Sequence, residues 1–143
     1  MITALIVGNV RNRQKNFAAF LDETDMFGET FFCTNLQEMI DFLNKRVVDV
    51  IFSLDTSRNF SVTDIFSTLK KKEEWGDIPV FLISEEVTPD TRIRALEMGA
   101  ADFLTAQSTP MEISALTQFH VTKKRRIEKL RLSKDTLFRQ ATT

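Results

Sequence analysis

The chain has 143 residues, an apolar fraction of 43% and a net charge of −1, values that suit one globular domain. It has one cysteine, Cys33, which excludes an internal disulfide and is expected to be a small buried residue. Its one histidine, His120, argues against a histidine-based metal site or catalytic triad. The sequence has no transmembrane stretch and no signal-peptide pattern, so we expect a soluble, cytoplasmic protein with no membrane partner.

The first half of the chain alternates apolar runs with amphipathic segments. Residues 3–7 predict a strand buried on both faces, and residues 13–22 predict a helix. A second strand is predicted over 30–33. Asn35 and Glu38 then form a capping-box pattern at the start of a second helix, and a third strand follows over 47–54.

The second half repeats this alternation. Ser61 begins a third predicted helix, which leads into the segment KKKEEWGD, expected to be a solvated turn. Residues 78–84 predict a fourth strand. The pair Thr88-Pro89 begins a fourth helix that Gly99 ends, and residues 101–104 predict a fifth strand. The pair Thr109-Pro110 begins the last helix.

Five strand–helix pairs predict an α/β fold with a doubly wound, five-stranded parallel sheet of the flavodoxin-like type. Ligands of such folds bind beyond the carboxyl ends of the strands. The residues at those ends are Gly8, Asn9, Leu54, Asp55, Ser84, Glu85, Thr105, Ala106 and Gln107. Gly8-Asn9 lacks the spacing of a phosphate-binding loop, and an inert loop is the favoured interpretation.

Several segments resemble the receiver (CheY-like) domains of two-component response regulators. The strongest resemblance is RALEMGAADFLTAQSTPMEI, residues 94–113, which is similar to the segment around the last strand of a receiver. DIPVFLIS, VDVIFSL and ALIVGNV resemble the fourth, third and first strands of that family. The resemblance covers about residues 1–120, which gives a receiver-like domain followed by a separate segment, residues 121–143.

The resemblance also implies which residues would carry phosphoryl chemistry. Receivers bind Mg²⁺ with an acidic pair, which falls here on Gly8 and Asn9, and use a lysine, which falls on Ala106. The phosphoacceptor aspartate falls on Leu54, and only Ser84 matches the family. We therefore expect a degenerate pseudo-receiver with no enzymatic activity, no metal and no cofactor, in which Mg²⁺ binding is lost.

Asp55 keeps an alternative open. It lies one residue after the expected acceptor position, and successive strand residues point to opposite faces, although a bulge could compensate for the shift. Under this alternative the protein is a phosphorylatable receiver in a phosphorelay. A turn or helix-cap role for Asp55 is favoured.

Residues 121–143 carry eight basic and two acidic side chains, net +6, whereas the other 120 residues carry 11 basic and 18 acidic, net −7. The last helix is expected to run from Pro110 to about residue 140 and to project beyond the sheet. A 3-4 repeat along it predicts a homodimer interface formed by Ile113, Leu116, His120, Ile127, Leu130 and Leu137. The basic run is interpreted as a solvated face; a nucleic-acid arm and a membrane-surface helix are the alternatives.

The final residues, LFRQATT, resemble the helical segment that precedes many diguanylate cyclase (GGDEF) domains. This resemblance implies a C-terminal output domain, of the diguanylate cyclase type, as the partner that the module regulates. It leaves open whether a histidine kinase is also a partner. A nucleic acid is not expected to be one.

Overall fold

The structure is a computed structural model that describes residues 1–8, 11–54, 61–84, 88–105 and 107–142, without the side chains of 11–13, 91 and 135–142. Its strands and helices alternate as the sequence predicts, except that two helices lie between the third and fourth strands. In chain order they are β1 (Ile2–Val7), α1 (Arg11–Asp22), β2 (Phe27–Cys33), α2 (Leu36–Lys45), β3 (Val50–Leu54), α3 (Val62–Leu69), α4 (Glu73–Gly76), β4 (Val80–Ser84), α5 (Pro89–Met98), β5 (Asp102–Thr105) and α6 (Pro110–Thr142).

The five strands form one parallel sheet in the order β2-β1-β3-β4-β5. The chain order reverses between β1 and β3, so the switch point lies between these two strands. Their carboxyl ends are in register, because Val7 pairs with Ser53. The predicted doubly wound α/β fold is confirmed.

Two apolar cores cover the two faces of the sheet, because successive strand residues point to opposite sides. Leu5 and Val7 pack with α2, α3 and α5, whereas Ala4 and Ile6 pack with α1 and α6. Phe52 lies at the centre of the second core, where its ring contacts three other phenylalanine rings, those of Phe17, Phe27 and Phe81. Four of the 13 phenylalanines of the sequence therefore pack together on this face of the sheet.

The predicted helix ends are present. Asn35, Ser61 and Thr109 each accept a hydrogen bond, through a side-chain oxygen, from the backbone amide three residues later, at 2.8, 3.0 and 3.1 Å. Gly99 has φ = +110°, a conformation that L side chains rarely adopt, and it ends α5. These local signals confirm the predicted starts of α2, α3 and α6.

The segment 70–77, predicted as a solvated turn, is different in the structure. Residues Glu73–Gly76 form the short helix α4, and Trp75 is only 7% exposed in the core beneath α2 and α3. The Lys72 ammonium lies 4.7 Å from the centre of the indole ring and donates a hydrogen bond to Asn44. The prediction was wrong because one apolar residue among charges has no periodicity that would indicate burial.

Strand boundaries also differ from the predictions. β2 begins at Phe27, three residues early, because Phe27 is buried and pairs with Ile2. β3 begins at Val50 and not at residue 47, because Val47 is largely exposed ahead of the sheet. Such shifts are common at element ends, where fraying competes with pairing.

Candidate functional site

Leu54 and Gly8 lie side by side where β3 and β1 end. Leu54 is the last residue of β3, is 8% exposed and belongs to the core on the α1 and α6 face. Gly8 follows β1, and a Cβ placed there would lie 3.4 Å from both the Cβ and the carbonyl oxygen of Leu54. Neither residue has a side-chain oxygen, so this part of the switch point offers no carboxylate to a cation or a phosphoryl group.

A buried side-chain amide forms hydrogen bonds to the backbone at the same edge of the sheet. Gln14, on α1, is 1% exposed and donates from Nε2 to the carbonyl oxygens of Ile6, Gly8 and Cys33, at 3.3, 3.1 and 2.9 Å. The Gly8 amide in turn donates to the Cys33 carbonyl, at 3.1 Å. Gln14 therefore links the ends of β1 and β2 without any ion.

Sequence reasoning missed Gln14, although a signal was present. Gln14 precedes Phe17, Ala18 and Leu21 by three, four and seven residues, which places it on the apolar stripe of α1. A polar residue on a buried stripe needs internal hydrogen-bond partners, and strand-end carbonyls are the groups within reach.

Ser84 and Thr105 end β4 and β5 and face each other in register. Ser84 is half-buried, so the one residue that matches the receiver pattern lies at the expected strand end. The end of β5 is closed by local hydrogen bonds, since the Thr105 amide donates to the Ser108 hydroxyl and the Gln107 amide donates to the Thr105 hydroxyl.

Four predicted site positions, Asn9, Asp55, Glu85 and Ala106, lie outside the described residues, and the predictions about them stay predictions. Within the described part of the chain, no group of three histidine, cysteine or acidic side chains could hold a metal ion. Mg²⁺ requires oxygen ligands, and Gly8 and Leu54 supply none from their side chains, so these two positions do not fit that ion.

Comparison with known proteins agrees with the architecture. No family model matches the chain. The two-component response regulator ORR3 of Oryza sativa is 34% identical over 82 residues, which cover 50% of this chain. The chain spans 62% of the length of that curated relative.

Solved structures show the same fold. The signal receiver domain of a signal transduction histidine kinase from Syntrophus aciditrophicus has a TM-score of 0.71 at 24% identity and covers 86% of this chain and 92% of its own. For a response regulator receiver domain protein from Clostridium thermocellum the TM-score is 0.72 at 18% identity, over 89% and 99% of the two chains. The CheY4 chemotaxis response regulator of Vibrio cholerae has a TM-score of 0.68 at 16% identity, and the match covers 84% of this chain and 98% of that one.

The chain therefore has the fold of response-regulator receiver domains and is similar in sequence to a two-component response regulator. None of the described helices has a stretch long and apolar enough to cross a membrane.

Cys33, at the end of β2, is 2% exposed and is part of the core. Burial, and secondarily the negative charge of Glu38, raise the pKa of its thiol to about 12. A thiol with so high a pKa is not a nucleophile at neutral pH. The prediction that Cys33 is a small buried residue is confirmed.

Helix α6 packs against the rest of the domain along one stripe of residues. This stripe differs from the one that the 3-4 repeat indicates. Its buried residues are Ile113, Thr117, Val121 and Lys124. A strict seven-residue repeat drifts by about 20° per heptad on a straight α-helix. A line of residues that begins against the sheet therefore turns toward solvent further along the helix.

Because of this drift, part of the predicted interface is buried in the domain and part is exposed. Ile113 is buried in the domain's own core and Leu116 packs against that core, so neither is free to form a dimer seam. The His120 ring is half-buried and packs edge-on against Phe81, with a centroid distance of 5.5 Å. Ile127 is 36% and Leu130 64% exposed.

Two residues complete the comparison with the predicted interface. The side chain of Leu137 lies outside the description. Phe119, which the 3-4 repeat passed over, is 64% exposed and contacts the His120 ring edge-on at 5.1 Å. The exposed apolar surface of α6 therefore includes Phe119, Ile127 and Leu130.

Helix α6 stays in contact with the rest of the domain well past residue 120. Val121 is 1% and Lys124 3% exposed, and the Lys124 ammonium lies 2.7 Å from the Glu128 carboxylate within the same helix. Arg131 forms ion pairs with residues of the segment between α3 and β4. The expected boundary at 121 thus falls inside the packed part of the helix.

Proposed function

We propose that this receiver domain is not phosphorylated and regulates a C-terminal output domain through protein–protein contacts. The observation that carries the proposal is the burial of Leu54 in the apolar core at the switch point, beside Gly8, where an added Cβ would lie 3.4 Å from the Leu54 Cβ. By the receiver resemblance these positions would hold the phosphoacceptor and one of the metal-binding acids. An aliphatic side chain can do neither.

Energetics explain why these substitutions would abolish the reaction. Enzymatic phosphoryl transfer depends almost entirely on positioning and on neutralising the charge of the phosphoryl oxygens. At Leu54 and Gly8 there is no side-chain charge or oxygen to contribute. A receiver that lacks these groups keeps its fold, because its stability comes from the two apolar cores and from the Gln14 hydrogen bonds.

The proposed partners are an output domain after residue 143, of the diguanylate cyclase type, and a second copy of the chain in the cytoplasm. The output domain rests on the resemblance of LFRQATT to the segment that precedes GGDEF domains. The homodimer rests on the exposed apolar surface of Phe119, Ile127 and Leu130 on α6. No histidine kinase is needed in this proposal, because no phosphoryl group is transferred.

The ion pairs of the basic segment argue against nucleic-acid binding as its main role. Lys124, Arg125 and Arg131 are each paired with a carboxylate of this chain. Cations that are already paired release fewer counterions when a polyanion binds, which weakens the main source of non-specific affinity.

The test is the intact mass of the chain after incubation with acetyl phosphate and Mg²⁺, with the Asp55→Asn variant and an active receiver domain in parallel. The proposal expects a phosphoryl adduct on the active receiver alone. An adduct on the wild-type chain that Asp55→Asn abolishes would contradict it and would establish the phosphorelay alternative.

A further inference from the structure

Helix α6 crosses the edge of the sheet opposite the switch point. The connections from helices into strands lie at this amino-terminal edge, and three of their acidic residues form ion pairs with α6: Asp49 before β3, and Glu73 and Asp77 in and after α4. We call these three residues the acidic rim.

Two arginines of α6 contact the acidic rim. Arg131 reaches Glu73 with Nε at 3.0 Å and Asp77 with Nη1 at 2.6 Å, so one guanidinium group bridges two carboxylates. Nearly two turns earlier, Arg125 Nη2 lies 3.6 Å from the Asp49 carboxylate. The planar guanidinium fork suits simultaneous contacts of this kind better than an ammonium group does.

The acids of the rim differ in exposure. The side chains of Asp49 and Asp77 are 15% and 17% exposed, whereas that of Glu73 is 77% exposed. Asp49 also accepts a hydrogen bond from the Thr3 amide, at 2.9 Å, which fixes it against β1. An exposed ion pair contributes little, but a largely buried carboxylate that loses its partner is costly.

We propose that the acidic rim, with Arg125 and Arg131, forms an electrostatic clamp that sets the direction in which α6 leaves the receiver domain. This inference rests on the proposed function, in which α6 carries the signal to the output domain. It assigns a role to the part of the basic segment that contacts the domain.

The composition of the contacting stripe supports a clamp that depends on charge. Up to Val121 the buried stripe is mainly apolar, and beyond it the contacts between α6 and the acidic rim are the ion pairs of Arg125 and Arg131. Apolar burial therefore positions the first three turns of α6, and ion pairs position the next three. The clamp should weaken as salt rises, since screening acts most strongly on exposed charges.

The experiment measures the distance between two spin labels, one on the body and one on α6 beyond the clamp. Lys71→Cys and Lys134→Cys provide exposed attachment points, and buried Cys33 stays unlabelled because its thiol has a pKa of about 12. An excess of unlabelled protein removes distances between two copies. Wild type is expected to give a single narrow distance distribution at low salt.

The test variants remove the clamp from either side, with Arg131→Gln on α6 and Asp77→Asn on the rim. Both are expected to lose the narrow distribution and to gain longer distances. The matched control is Lys129→Gln, which removes one exposed positive charge from the same helix and is expected to leave the distribution unchanged.

The clamp is overturned if the wild-type distribution is already broad, if both Arg131→Gln and Asp77→Asn keep it narrow, or if Lys129→Gln broadens it equally. Circular dichroism confirms that each variant is folded. The distances are recorded without any phosphoryl donor. A phosphorylated wild-type chain would therefore refute the proposed function and leave the clamp unaffected. A broad wild-type distance distribution would refute the clamp and leave the proposed function unaffected.

Discussion

A carboxylate placed at position 54 tests directly whether the end of β3 can hold a charge. In an active receiver this position accommodates an aspartate, whereas here Leu54 is 8% exposed and is part of the core on the α1 and α6 face. If the strand end is an apolar contact and no longer an ion site, Leu54→Asp should destabilise the domain. Mg²⁺ should not restore its stability.

The magnitude follows from burial. A fully buried leucine side chain contributes about 1.5–3 kcal/mol through transfer from water, and truncating it costs about 2–5 kcal/mol when a cavity remains. The introduced carboxylate adds a desolvation penalty, moderated because the position lies at the end of a strand. We therefore expect Leu54→Asp to lower the free energy of unfolding by about 3 kcal/mol or more at pH 7.

The assay is urea unfolding followed by the fluorescence of Trp75, which is buried in the folded domain and is the sole tryptophan of the sequence. Leu54→Met, which conserves volume, should cost less than about 1.5 kcal/mol. The Leu54→Asn variant has nearly the same side-chain shape as Leu54→Asp but no charge, so comparing the two isolates the effect of the charge. Burial raises the pKa of the introduced carboxyl in the folded state, so the gap between Leu54→Asp and Leu54→Asn should narrow as the pH falls toward 4.

A result that refutes this reasoning is a Leu54→Asp variant within about 0.5 kcal/mol of wild type, the range of ordinary surface substitutions. Restoration of its stability by millimolar Mg²⁺ would contradict the account equally. Either outcome would mean that the strand end is still built to hold charge.

Three further predictions concern the helices. Leu130→Glu should convert a dimer to a monomer in light scattering, whereas Lys129→Glu should not, and a monomeric wild-type chain at high concentration would contradict the predicted interface. Burial, and secondarily the charge of Lys123, lower the pKa of His120 in spite of the opposing charge of Asp102. Its protonation therefore favours the unfolded state, so stability should fall as the pH drops below about 6.5. In urea unfolding, the His120→Gln variant should lose this fall in stability at low pH. An unchanged pH profile in the variant would show that His120 does not cause it. Asn35→Ala should lower the free energy of unfolding by about 1 kcal/mol through loss of the α2 cap, and a change near zero would show that the cap does not stabilise the helix.

The features that the sequence predicted correctly are encoded locally. Caps at Asn35, Ser61 and Thr109 and the stop at Gly99 depend on a few neighbouring residues, and each is present. The strands were recognised because buried parallel strands form continuous apolar runs. The resulting order of elements was enough to predict the fold.

The features that were missed depend on contacts between distant parts of the chain. Trp75 is buried because α3 and β4 bring it under the core, and Gln14 is buried because the ends of β1 and β2 supply its acceptors. The 3-4 repeat of α6 suggested one interface, but the sheet covers its first part. Periodicity alone does not say which neighbour a helix face meets.

The candidate site was predictable in part. Leu54 and Gly8 were named from the resemblance, and the structure places them side by side at the switch point. The burial of Leu54 could not be inferred from the sequence, because it depends on how α1 and α6 cover that face of the sheet.

The measurement that tests the central claim most directly is a Mg²⁺ titration of the wild-type chain followed by NMR at the amides of Gly8 and Leu54. Trp75 is a poor reporter for this purpose, because it lies at the opposite edge of the sheet. The account predicts no saturable shift at either amide in the micromolar to low-millimolar range of Mg²⁺. Saturable shifts at these amides would show that the switch point still binds the ion and would contradict the account.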